Sequence, residues 1–103
     1  MATGTINAND DTGWVNVTTG LYCRVKNGLC CIIGNDITIQ SGAVRSFALP
    51  EKAKPKYAIN PFCRSGTNIL QCWIAADSMY ISFDPGGTTR QHATVFATYF
   101  VDN

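Results

Sequence analysis

The stretch Tyr22-Cys23-Arg24-Val25-Lys26-Asn27-Gly28-Leu29-Cys30-Cys31-Ile32 decides the fold class. Asn-Gly between two strand-like runs is a strong hairpin signal, because a two-residue type I′ turn needs positive φ at both central positions. Pairing outward from Asn27-Gly28 sets Lys26 opposite Leu29, Val25 opposite Cys30, Arg24 opposite Cys31 and Cys23 opposite Ile32. One face of this hairpin is then wholly apolar: Cys23, Val25, Cys30 and Ile32. The other mixes Tyr22, Arg24, Lys26, Leu29 and Cys31, a pattern expected of a half-exposed surface or an intersubunit contact.

Away from the two hairpin arms, at 21–26 and 29–34, further short β-rich runs appear at 14–18, 36–40, 44–49, 57–63, 69–75, 79–83 and 94–101. Gly, Asn, Asp and Pro separate them at spacings typical of all-β sandwiches. No window carries a sustained helical period, and Pro50 and Pro55 leave residues 51–56 room for one helical turn at most. The sequence therefore predicts a small antiparallel all-β sandwich of eight or nine short strands over residues 14–103. Residues 1–13, almost without apolar side chains, read as a flexible leader.

A second hairpin is implied by runs 69–75 and 79–83 around Asp77-Ser78. Side-chain parity gives one face to Leu70, Cys72, Ile74, Met79, Ile81 and Phe83, which reads as core, and the other to Gln71, Trp73, Tyr80 and Ser82. Trp73 and Tyr80 thus stand directly or diagonally across from one another, turned away from the core. The last run sets Thr94, Phe96, Thr98 and Phe100 against Val95, Ala97, Tyr99 and Val101, so neither side is strongly polar. A neighbouring subunit is the simplest way to cover its second side. Trp14, opening the first run, reads as a cap on the edge of the core.

Composition narrows the function classes. The chain has 103 residues, 46% of them apolar and 15% charged, which suits one globular domain and not a disordered segment. A net charge of +1 gives no field to draw nucleic acid. The longest uninterrupted apolar run, Leu29 to Ile33, falls far short of the roughly 20 residues of a membrane-spanning helix. No basic and apolar leader follows Met1, so neither membrane insertion nor a signal peptide is expected. Five cysteines with no CxxC pair, and a single His, favour free buried thiols over zinc and point to no cofactor. A bridge between two strands stays open for a chain that leaves a reducing compartment.

The order of features has a counterpart in known proteins. Trp14 leads; a YxRxKNG hairpin follows (Tyr22, Arg24, Lys26, Asn27, Gly28), then a Gly-bounded strand. After these come an LP-x4-P element (Leu49, Pro50, Pro55), a hairpin with an Asp turn and an aromatic final strand. The chain resembles, over about residues 14–103, the C-terminal head domain of receptor-binding, baseplate or tail-fibre proteins of tailed phages that infect Gram-positive bacteria. The resemblance implies a jelly-roll-like homotrimer at the tip of the virion tail. It would sit beside other tail or baseplate proteins, with host cell-wall saccharide as receptor. Two departures stand out: such heads follow a trimeric stalk, which this sequence lacks, and five cysteines exceed the family pattern.

Sugar recognition without catalysis needs aromatic faces for pyranose C–H surfaces and planar polar groups for hydroxyls. Trp73 and Tyr80 supply the first, and Asp84, Arg90 and His92, on the Gly-rich segment 84–92, supply the second. The same two aromatics also suit a trimer interface, and the two roles can coincide at a subunit boundary. Lys52, Lys54 and Lys56 read as a solvated run, with an anionic wall polymer as a minor alternative. Glycoside hydrolysis needs two facing carboxyl groups, and no such pair emerges from the seven acidic residues, so an enzyme is not expected. A ligand-free trimerisation or capping module, and less so a small sugar-processing enzyme, are the competing functions.

Overall fold

A computed structural model describes residues 11–101. Nine strands form two antiparallel sheets: β1 (Val15–Thr18), β2 (Leu21–Lys26), β3 (Leu29–Ile39), β4 (Arg45–Ala48), β5 (Phe62–Ser65), β6 (Asn68–Ile69), β7 (Gln71–Trp73), β8 (Tyr80–Asp84) and β9 (Arg90–Phe100). The large sheet runs β1-β2-β3-β9-β5-β6 and the small one β4-β8-β7. The pairs β3 with β9 and β4 with β8 are nested in sequence, so the second half of the chain folds back over the first as in a jelly roll.

The Asn27-Gly28 hairpin has the register its turn chemistry dictates, with Lys26 on Leu29, Val25 on Cys30, Arg24 on Cys31 and Cys23 on Ile32. Both turn residues take positive φ, 53° and 81°. At the other end of β2, Gly20 (φ +83°) is required for a second reason. Its carbonyl accepts the Asn35 N–H at 3.0 Å, and a Cβ there would lie 2.5 Å from the Asn35 carbonyl oxygen.

Between the sheets lie Leu21, Val25, Ile32, Ile37, Ile39, Ile74, Ile81 and Phe83, all essentially dry, with four of the five thiols. Cys23 and Cys30 Sγ atoms stand 3.6 Å apart as free thiols. Hydrogen bonding to Cys30 and burial push the Cys23 thiol far up, so it stays protonated. Three strands are too few to cover six, and the connection after β4 completes the lid. A 3₁₀ turn at Glu51–Ala53 buries Ala53, and the Tyr99 hydroxyl on β9 donates to the Ala53 carbonyl at 2.7 Å.

Several segment boundaries differ from the sequence pattern. Runs 29–34 and 36–40 are one strand, β3, because the break at Asn35-Asp36 is a bulge (Asp36 φ 57°) with pairing to β9 resumed at Ile37. Run 57–63 is displaced to Phe62–Ser65, preceded by an isolated bridge from Ile59 to Ile74. Run 69–75 divides between the two sheets. Met79 is half-buried and precedes β8 instead of lining the core. Trp14 does not cap the core: it is half-exposed on the outer side, with the Arg24 guanidinium 5.9 Å from its ring centroid.

Of the expected leader, residues 1–10 lie outside the described residues, while 11–13 run along β2. Asp11 forms a two-pronged ion pair with Arg24 (3.0 and 2.7 Å), and Thr12 N–H donates to the Val25 carbonyl at 2.9 Å. The Arg24 hydrogen bonds, then the Gly13 N–H, hold the Asp11 carboxyl well below the usual carboxylate range. Because the folded-state pKa is depressed, the tether is fully favoured above the ordinary carboxylate pKa of about 4 and is lost as pH falls through the folded value. Asp11→Asn is expected to lower the protection factor of the Thr12 amide at neutral pH and to remove the acid-induced loss of that protection. Exchange measured by NMR checks this, and unchanged protection in the variant would contradict it.

Candidate functional site

The segment after β5 positions a recessed surface at the edge of the two sheets. Arg64 pairs with Ile69 and Ser65 with Asn68, so β6 closes the large sheet. Leu70 then turns inward, its N–H held by the Cys63 carbonyl at 2.9 Å, and the next residues join the small sheet as β7. Alternation along 69–75 is continuous, but the strand changes sheets in the middle. A groove of ≈ 710 Å³ opens where the two sheet edges part, floored by Cys63, Leu70 and Cys72. Phe62, Ile69 and Trp73 line it with Asn60, Pro61 and Gln71.

Trp73 sits on this groove through parity: it pairs with Ser82, and its side chain leaves the small sheet on the side away from Cys72 and Phe83. Tyr80 is on the same outer face, 51% exposed and paired with Ala48, diagonal to Trp73. On the same face Ser82, opposite Trp73, shares a 2.7 Å hydroxyl hydrogen bond with Ser46 of β4. Asp84 stands opposite Gln71, with its carboxylate accepting the Gly86 N–H at 2.9 Å.

Arg90 and His92 are placed differently. The expected loop 84–92 ends sooner, because β9 begins at Arg90, which pairs with Ile39. Arg90 Nε donates to the Pro85 carbonyl at 3.0 Å and closes the turn after β8. His92 (φ 55°) occupies a bulge in β9 and is hydrogen-bonded to Asp36 of β3, so it belongs to the large sheet. Trp73, Tyr80 and Asp84 thus share one face, Arg90 borders it, and His92 does not join it. Asn60, Phe62 and Ile69, which the sequence pattern does not single out, complete the groove beside Trp73. The signal for them is modest: bulky apolar residues at outward positions flanking Pro61 and an outward Trp.

A second surface covers the outer side of the large sheet. Tyr22, Ile33, Phe96 and Phe62 form one continuous cross-strand row, and Leu29 with Phe100 form another. Phe96 is 53% exposed and Phe100 83%. Shallow depressions beside Trp14, Tyr22 and Ile33, and beside Leu29, Cys31 and Phe100, break up this face.

The fold and its surfaces define a class: a two-sheet antiparallel β-sandwich with an aromatic groove at a sheet edge and an apolar outer sheet face. No protein-family model matches the chain, and no curated protein matches it.

Proposed function

We propose that this chain is a non-catalytic, carbohydrate-binding head domain of the kind carried at phage tail tips, assembled as a homotrimer and directed at host cell-wall saccharide. The observation that carries the reading is the groove at Trp73, where aromatic side chains and planar amides line one recess. Aromatic faces cover the C–H surfaces of a pyranose, and amides donate to and accept from its hydroxyls. Among the described residues, four acidic side chains are held by partners, which favours a binding role: Asp11 by Arg24, Asp36 by His92, Glu51 by Lys54 and Asp84 by the Gly86 N–H. Trimer formation is supported by the apolar outer face of the large sheet, whose central row spans four strands. Several linked sites would then raise a weak single-site affinity into firm adhesion.

Sedimentation with purified Gram-positive cell walls tests this. The intact protein is expected to pellet with the walls, and Trp73→Ala to lose about tenfold or more in affinity, the loss of about 1.4 kcal/mol, with its oligomeric state unchanged. Failure of the intact protein to bind walls, or dissolution of the trimer by Trp73→Ala, would count against it. A ligand-free trimerisation cap is the second reading, and the exposure of Phe96 and Phe100 favours it. That alternative gives a trimer with no affinity for walls.

A further inference from the structure

We propose that the groove beside Trp73 takes an uncharged saccharide unit, a neutral hexose, deoxyhexose or N-acetylhexosamine, and excludes anionic sugar-phosphate polymers. This deepens the carbohydrate reading above and rests on it. None of the residues lining the groove carries a formal charge. Its two floor thiols stay neutral as well: burial pushes Cys63 up to about 11 and pushes Cys72 up further. Strand pairing sets one ionic residue of each sign beside the lining, Arg64 opposite Ile69 and Asp84 opposite Gln71.

Recognition of phosphate or carboxylate relies on guanidinium or ammonium donors, and an anion entering without them loses hydration with no counter-charge in return. Asn60 and Gln71 offer instead amide groups that both donate and accept, the complement of a hydroxyl or an acetamido group. Trp73 supplies aromatic surface to match the C–H or methyl face of the same ring. The volume falls within the roughly 300–1,000 Å³ range of small-ligand sites, enough for a short saccharide.

An extended peptide finds part of the backbone beside the groove already in use. Ile59 and Ile74 exchange N–H and carbonyl at 2.9 and 2.8 Å, Leu70 N–H is bound to Cys63, and Pro61 has no N–H to give.

The test uses the full chain, titrated by NMR with rhamnose and with an N-acetylglucosamine disaccharide, and in parallel with poly(glycerol phosphate) and an extended Pro-containing peptide. At least one neutral sugar is expected to shift the Trp73 indole N–H together with the Asn60 and Gln71 side-chain amides. Its affinity is expected to change less than about twofold between about 20 mM and about 1 M salt, as a contact without ion pairs should. Gln71→Lys is expected to weaken that binding without creating a need for anions. Response only to poly(glycerol phosphate), a steep loss with salt, response only to the peptide, or no response to any probe would each overturn the assignment. Wall binding competed solely by the anionic polymer would remove the neutral-ligand inference and leave the adhesin reading standing. Sugar binding in the groove without wall binding would do the reverse.

Discussion

Replacing Phe96 by Asp is expected to convert the proposed homotrimer into folded monomers. Phe96 lies near the middle of the outer row of the large sheet, paired on one side with Ile33 and on the other with Phe62. Its ring is outside the protomer's own core, where Val95 and Ala97 point instead. A carboxylate at that position meets water in the monomer and is tolerated within about 0.5 kcal/mol, as surface changes usually are. In a trimer sealed by this face it becomes a buried charge without a partner, a penalty of roughly 3–5 kcal/mol. Symmetry repeats the penalty at each interface, so the association constant should collapse by several orders of magnitude. Sedimentation velocity at micromolar concentration reads the outcome directly. A wild-type protein that sediments as a monomer, or a Phe96→Asp variant that remains a trimer, would remove this face from the assembly.

The outer face of the large sheet is legible in the amino-acid sequence, while the groove is only partly so. The β2–β3 register follows from Asn27-Gly28 alone, since a two-residue turn leaves one way to pair its flanks. The outward side of β9 follows from strict alternation between Phe96, Thr98 and Phe100 and the buried residues between them. Parity also puts Trp73 and Tyr80 on one outer face and Phe83 in the core. What alternation cannot supply is the identity of the sheet to which a strand belongs. Residues 69–75 alternate without a break, yet Ile69 pairs with Arg64 in one sheet and Cys72 with Phe83 in the other. That division depends on partners distant in the chain, and the groove exists only because of it. Similarly, Gly34-Asn35-Asp36 has the composition of a turn, but long-range pairing to β9 on both sides turns it into a bulge. His92 departs from its expected loop for the converse reason: the Gly-rich signal of 86–89 does not reveal that the ladder with β3 resumes at Arg90.

The largest loss of stability is expected from Phe83→Ala. Phe83 is the bulkiest of the wholly buried side chains, set in β8 between Arg45 of β4 and Cys72 of β7, with the Phe47 ring edge-on at 6.0 Å. Truncation removes the ring's burial and leaves a cavity between sheets that both continue past it, which limits collapse; the cost for such sites is about 3–5 kcal/mol. Domains of this size hold roughly 5–15 kcal/mol in all, so the variant loses about a fifth or more of its margin. At about 4–8 °C per kcal/mol, thermal unfolding should move down by about 12–40 °C. Tyr80→Ala is the matched control, three residues earlier on the same strand but on the opposite face. Tyr80 packs against no second layer of its own protomer, so its removal should cost about 1 kcal/mol or less. Calorimetry on the two variants therefore measures strand parity itself. Comparable losses from both would mean that the outer face of the small sheet is sealed too, and the surface carrying Trp73 would then be closed to a saccharide.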